Sequence, residues 1–296
     1  MRELYDEIIE ETFQKSEDRA KILFEILDNW IDATELFKEY KLEEIIHTIP
    51  GVIFIYSWRA GNWIIYEILT GHYFEALRDI RFLFESSLLA LHYDYFIDRK
   101  ISEKWGSFAK IDLKAEIVEL AEKLRGELLK EDDMQKNLRL IRKHVQEFVN
   151  KSKLTEEEKR KYIELYCEIL MQPELYWSIS RIIKEYSKEF ELGDYEKLLK
   201  GTWSRLSSYT HFSRMFFNLL LERPEEIWIE YYNEELLTEC CELYITTTDL
   251  FLSTLVISFP KLRDTVNNEI VNWWKENLNI ELGITRKIIN SLSQSS

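Results

Sequence analysis

Arg205 and His211 are the two side chains in this sequence best suited to do chemistry together. They are six positions apart in the run 200–217, KGTWSRLSSYTHFSRMFF, which is rich in hydroxyls: Ser204, Ser207, Ser208, Tyr209, Thr210 and Ser213. On a regular helix that step turns one side chain about 120° from the other. Both could flank one cleft without automatically facing each other. Histidine titrates near neutral pH and can move a proton, while arginine stabilises negative charge developing on phosphorus. The pair could therefore cleave RNA through attack by the neighbouring 2′-hydroxyl, leaving a 2′,3′-cyclic phosphate and a 5′-hydroxyl, with no metal required. The plainer reading is a hydrogen-bonded core histidine and an ion-paired or surface arginine.

A second segment, 71–96, reads GHYFEALRDIRFLFESSLLALHYDYF. Its apolar positions, from Phe74 through Phe82 to Leu91, nearly encircle a helix, which predicts burial on most sides. Arg78, Arg81 and Glu85 are then expected at or inside the protein interior. Arg81 and Glu85 stand four apart, on one face, and can pair. Sites that tolerate buried charge are often functional. The competing reading is a structural ion pair that holds helices in register.

An arginine followed by a short spacer and a histidine, on a late helix of an all-α bundle, resembles the motif of the HEPN superfamily. The resemblance implies a small helical bundle, commonly dimeric. It also implies metal-independent endoribonuclease activity of the kind found in toxin–antitoxin, abortive-infection and CRISPR-associated systems, hence a role in defence or stress response. By it Arg205 and His211 would be catalytic, with Arg81, Glu85, Arg78 and Ser208 supporting. The helix at 71–85 together with the downstream Leu206-Ser-Ser-Tyr-Thr-His211 also resembles uncharacterised helical families grouped near HEPN, in which an Arg–Glu helix recurs with a Ser-rich His motif. Leu206 stands where active members often carry Asn or Asp.

The remaining constellations are sparser. Glu44 and His47 form one Glu-x-x-His, whereas carboxylate-bridged di-iron bundles need two such pairs and further glutamates. His72, His92 and His144 are scattered and read as structural or surface groups. No Gly-x-Gly-x-x-Gly, Walker-type or Gly-x-Ser-x-Gly run is present, so nucleotide-fold and hydrolase readings lose support. No metal or other cofactor is expected. Cys167, Cys240 and Cys241 form no plausible disulfide framework and no Cys-x-x-Cys spacing. That usage, and a charged rather than signal-like start, fit a reducing cytoplasm.

The formal net charge of −15 disfavours extended binding to a phosphate backbone while leaving a local basic site open. Between Gln135 and Lys153 six bases, Lys136, Arg139, Arg142, Lys143, Lys151 and Lys153, stand against one acid, Glu147; this reads as a solvated helix face. Richness in Ile, Glu, Lys and Tyr resembles a thermophile's composition. Two apolar stretches, 52–70 and 243–259, contain charges and fall near or below membrane-span length, so both are expected to be buried core helices. The aromatic clusters Trp228–Tyr232 and Trp273-Trp274 are expected in the core, with an interaction surface or ligand pocket as the alternative.

Elements able to position these groups are legible throughout. Only 8 Gly and 4 Pro in 296 residues predict long helices and short connections. Helical stripes recur, as in Leu23, Ile26, Leu27 and Trp30. Helices are expected near 3–15, 17–39, 52–70, 72–98, 112–130, 134–150, 155–171, 174–190, 195–221, 225–258 and 261–292, the last two broken. Thr155 with Glu158 reads as a capping box, and Pro173, Pro224 and Pro260 as helix starts. The fold class expected is all-α, a multi-helix bundle in one domain, 1–296. Its HEPN-like core would span 50–260, with a helical insertion near 112–160. The leading functional expectation is the metal-independent ribonuclease acting on RNA, assembled as a homodimer. Beside it stand a non-catalytic interaction module binding a protein partner through aromatic surface, and a bundle with an apolar small-molecule pocket. A membrane partner is not expected.

Overall fold

The computed structural model describes residues 2–32, 49–94, 119–124, 134–151, 154–171, 176–210 and 232–294. His211, Ser213, Glu44, His47, Lys153, Pro173, Pro224 and Trp228 lie outside the described residues. The protein is an all-α, multi-helix bundle, with no strand among the described residues. In chain order the main helices are α1 (Arg2–Lys15), α2 (Glu17–Asp32), α3 (Ile49–Leu69), α4 (Tyr73–Tyr93), α5 (Met134–Val149), α6 (Glu156–Leu170), α7 (Ile179–Glu189), α8 (Tyr195–Thr210), α9 (Glu234–Ser258) and α10 (Gly283–Gln294).

The near-encircled apolar pattern of α4 has its expected consequence. This helix packs against α3, α9, α8 and α7, and Leu77, Ile80, Leu83, Phe84 and Leu88 lose all contact with solvent. It turns back from α3 through Gly71, whose φ of +80° is a left-handed conformation that glycine enters without a Cβ clash. The His72 N–H donates to the Glu67 carbonyl at 2.8 Å and closes the end of α3. Helix α9 is long and apolar enough to cross a membrane by length and composition, but 83% of its apolar window is buried within the protein. As expected for 243–259, it is a core helix. The 52–70 stretch departs from its expectation, because α3 buries only one of its faces.

A second apolar cluster gathers Tyr93, Leu120, Leu124, Ile141, Val145, Tyr162 and Tyr166, from the end of α4, residues 119–124 and the α5–α6 hairpin. The α6 start is a complete capping box. The Glu158 N–H donates to Thr155 Oγ1, and the Glu158 carboxylate accepts from the Thr155 N–H at 2.8 Å. Lys136, Arg139, Arg142, Lys143 and Lys151 are all exposed on this hairpin, as the solvated-face reading expects.

The helix expected over 174–190 begins instead at Ile179, capped by the Ser178 side chain. Within the stretch expected over 225–258, residues 232 and 233 are not helical and α9 runs from Glu234, capped by Asn233; residues 225–231 lie outside the described residues. The break expected in 261–292 is present. Pro260 opens a tight turn, wide π-type turns cover Val266–Asn272 and Trp274–Leu278, and Asn279 at φ +55° ends them. These wide turns are anchored from the N-terminal side. Asn29 on α2 accepts from the buried Trp274 indole N–H at 2.8 Å and donates to the Glu269 carbonyl at 3.1 Å.

The C-terminal helix is held by a carboxylate from another element. Asp249, buried within α9, accepts from the backbone N–H of Ile284 at 2.9 Å and of Thr285 at 2.8 Å, and from Thr285 Oγ1 at 2.7 Å. It thereby satisfies two of the first-turn N–H donors of α10, which have no intrahelical partner. Burial pushes the Asp249 carboxyl up to about 6, and the donors hold it from rising further.

Candidate functional site

Arg205 lies on α8 with its side chain 41% exposed. Its guanidinium is engaged from α9. Nε donates to Glu239 Oε1 at 2.8 Å, a terminal nitrogen donates to Glu239 Oε2, and the same nitrogen donates to Glu242 at 2.9 Å. Glu239 and Glu242 stand one turn apart on α9, so both reach the same cation. This arrangement pushes the Arg205 pKa further up, mainly through the Glu239 hydrogen bond. One guanidinium facing two carboxylates leaves a locally acidic surface. A phosphate group arriving there meets Glu239 and Glu242 first and has to replace them.

Arg81 and Glu85 do pair, at 2.8 Å, with side chains 18% and 28% exposed. Glu85 also accepts from the Trp203 indole N–H at 3.3 Å, tying α4 to α8. Trp203 and Arg205 are two residues apart, hence about 200° apart around α8. The Arg81–Glu85 pair therefore meets a different face of α8 from the one carrying Arg205. Ser208 donates to the Arg205 carbonyl at 2.7 Å, a bond within the helix. Arg78, expected at or inside the interior, is instead 65% exposed and pairs with Asp79 at 3.0 Å. Its position falls, one turn from Phe82, on an arc of α4 that stays exposed. His211 lies outside the described residues, so its distance from Arg205 is not part of this geometry.

The aromatic clusters take separate roles. Trp274 is buried core. Tyr232 hydrogen-bonds to Ser16 at 2.7 Å, and the Lys15 ammonium lies 5.0 Å from its ring centre. Between α4 and α7 is a partly open groove of about 450 Å³, walled by Leu91, His92, Trp177, Tyr186 and Phe190 and rimmed by Glu185, Lys188 and Glu189. It is not the closed, apolar cavity that the small-molecule expectation calls for. Among the described residues no group of three His, Cys, Asp or Glu side chains is placed to hold a metal. The three cysteines are free thiols.

The most unusual surface is on α3. Val52, Ile55, Tyr56, Trp63 and Tyr66 are 47%, 47%, 59%, 56% and 42% exposed, and Phe82 of the adjacent α4 is 50% exposed. At 100° per residue the five α3 positions and Arg59 fall within an arc of about 100°, spread over about 21 Å of helix. The side chains are ordered against one another. Tyr56 meets Phe82 edge-on with ring centres 5.3 Å apart, and Trp63 stacks on Tyr66 at 5.3 Å. Arg59 stands in the middle of the row, exposed and without an ion pair among the described residues. The opposite face of α3 buries Phe54, Ile64, Ile65 and Ile68. Sequence reasoning missed this row because both faces of α3 are apolar. The signal available was the repeat 52, 55, 56, 59, 63, 66, which accommodates one arginine and four apolar or aromatic types that a core also uses.

Glu67 lies in the seam between this row and α4. It is 6% exposed, and its Oε2 has no hydrogen-bond partner among the described residues. Burial, reinforced by Asp79, pushes its carboxyl up to about 7, against a hydrogen bond from Trp63 and the Arg78 charge.

Comparison with protein-family models, with curated proteins and with solved structures returns no match for this chain.

Proposed function

We propose that the protein is a non-catalytic helical docking module whose contact surface is the exposed row on α3. The observation that carries this reading is the alignment of Val52, Ile55, Tyr56, Trp63 and Tyr66 on one helix face beside Phe82, each 42–59% exposed. Single exposed apolar residues are ordinary, whereas a contiguous patch marks a surface that is covered in use. Tyr and Trp are the residue types that anchor such contacts. A photo-crosslinking amino acid at Tyr56 or Trp63, introduced in cells that make the protein, is expected to give discrete adducts. The same group at exposed Lys143, on α5, is expected to give none, and Tyr66→Glu is expected to suppress the α3 adducts. Adducts of equal yield from all three positions, or from none, would sink the reading.

A second reading is the HEPN-like ribonuclease, with His211 moving the proton and Arg205 stabilising the phosphorane. The half-exposed guanidinium of Arg205 supports it, since substrate can reach it, but the reading requires phosphate to displace Glu239 and Glu242. Mixed RNA incubated with the purified protein in EDTA is expected to stay intact, equally for the parent and His211→Ala. Cleavage by the parent that disappears in His211→Ala would make the nuclease the primary function.

A further inference from the structure

The row on α3 is symmetric as well as exposed, and the identity of its occupant rests on its being a docking surface. Counted from Arg59, its members fall at mirrored positions. Val52 and Tyr66 are seven residues either side, Ile55 and Trp63 four either side, and Tyr56 lies three before Arg59 with the half-buried Asn62 three after. A helix face with this symmetry matches itself when a second helix is laid across it in the opposite direction. Two-fold assemblies use one patch on both subunits, and residue i then meets residue j while j meets i.

We infer that the occupant of this face is a second copy of the chain, packed α3 against α3 in antiparallel fashion about a two-fold axis at Arg59. Val52 then meets the partner's Tyr66, and Ile55 meets the partner's Trp63. Phe82, standing beside Tyr56, widens the contact on the α4 side. The six exposed side chains offer roughly 600 Å² of apolar surface, taking each at about half exposure. Doubled across the axis this reaches roughly 1,200 Å² before any polar rim is added, the lower bound for a specific and stable interface. A stripe of one or two exposed residues would fall well short of it.

Charge sets the character of this dimer. Each copy carries a formal −15, so association brings like charges together and is opposed at low salt. On the axis, Arg59 lies beside the partner's Arg59. That pair adds a local repulsion, and the flanking faces of Tyr56 and the partner's Trp63 offset it in part by accepting the cations. An acidic protein partner would have the opposite signature, since Arg59 and Arg78 would attract it and salt would weaken it. Salt dependence and the effect of removing Arg59 therefore separate the two occupants.

Sedimentation of the full chain from nanomolar to high micromolar concentration tests the inference, at about 0.05 M and about 0.5 M salt. The expected result is a monomer–dimer equilibrium that tightens at the higher salt. Trp63→Glu is expected to raise the dissociation constant roughly a hundredfold while leaving the helical circular dichroism unchanged. Arg59→Leu is expected to lower it several-fold, an effect that misfolding does not imitate. Mixing the parent with Arg59→Glu is expected to give more heterodimer than random pairing allows, because the axis then carries opposite charges. A chain that stays monomeric throughout, a dimer indifferent to Trp63→Glu, or an Arg59→Leu variant that dimerises more weakly would each overturn the inference. The monomeric result together with α3 crosslinks to a different protein would remove the self-pairing and leave the docking reading standing. Absence of both would remove the two together.

Discussion

Asp249→Ala is expected to lower the unfolding free energy by about 3–5 kcal/mol, among the largest effects of any single change in this protein. The carboxylate is buried in α9 and accepts from Ile284 N, Thr285 N and Thr285 Oγ1 at the start of α10. Alanine leaves the Ile284 and Thr285 N–H groups without that acceptor, while Thr285 Oγ1 keeps the residue-249 carbonyl at 2.8 Å, and the cost is the loss of two buried, charge-assisted acceptors rather than the value of one hydrogen bond. Asp249→Asn keeps one acceptor oxygen and is expected to lose about 1–2 kcal/mol. Urea unfolding of the three proteins at pH 7 measures both steps. Equal stability of parent and Asp249→Ala would show that α10 is held by its apolar face alone, through Ile284 and Ile288.

The second large effect is a dependence on pH that runs opposite to ordinary acid denaturation. Glu67 has its folded pKa raised from 4.5 to about 7, so the folded state binds a proton that the unfolded chain has released. Its contribution is fully present below pH 4.5 and is lost as pH rises through about 7. Between those limits stability is expected to fall by about 2–3 kcal/mol. Asp249, raised from 3.8 to about 6, adds a slope of the same sign over its own lower window. Glu67→Gln carries no titrating proton. It is expected to flatten the upper part of the curve and to be more stable than the parent at pH 8. Chemical unfolding at steps from pH 4 to pH 8 reads this directly. A parent whose stability rises across pH 5–7, or a Glu67→Gln variant that follows the same slope, would contradict the assignment.

How much of this was legible in the sequence depended on whether a residue's fate was set locally. Thr155 and Glu158 make their capping box from four consecutive residues, so the pattern suffices. The encircling apolar positions of α4 likewise leave it no option but the centre of the bundle. Arg78 shows where the same reasoning ends. A helix covered on most sides can still keep an exposed arc, and only the tertiary arrangement decides that Arg78 and Phe82 stand on it. The α3 row was hidden for a related reason. With Phe54, Ile64 and Ile65 on one face and Ile55, Tyr56 and Trp63 on the other, composition predicts burial all round, and nothing local says which face lacks a neighbour. The break after Pro260 was announced by the proline. The wide turns beyond it depend on Asn29 reaching across from α2, a contact about 240 residues distant in sequence.

The candidate site divides in the same way. The pairing of Arg81 with Glu85 follows from their spacing and is present at 2.8 Å. The partners of Arg205 do not follow from spacing, because Glu239 and Glu242 belong to a helix more than thirty residues away. Arg-x5-His identified two residue types with the right chemistry. What the guanidinium of Arg205 faces was decided by the packing of α8 on α9.

Central to the proposed function is an α3 face that stands open in the isolated chain and is covered in use. Hydroxyl-radical footprinting tests it most directly, comparing the purified protein at nanomolar concentration with the protein inside the cells that make it. Strong labelling of Tyr56, Trp63, Tyr66 and Phe82 is expected in the dilute sample, and several-fold protection of all four in cells, with exposed residues of α5 unchanged. Weak labelling of the four in the dilute sample, or equal labelling in both, would contradict it.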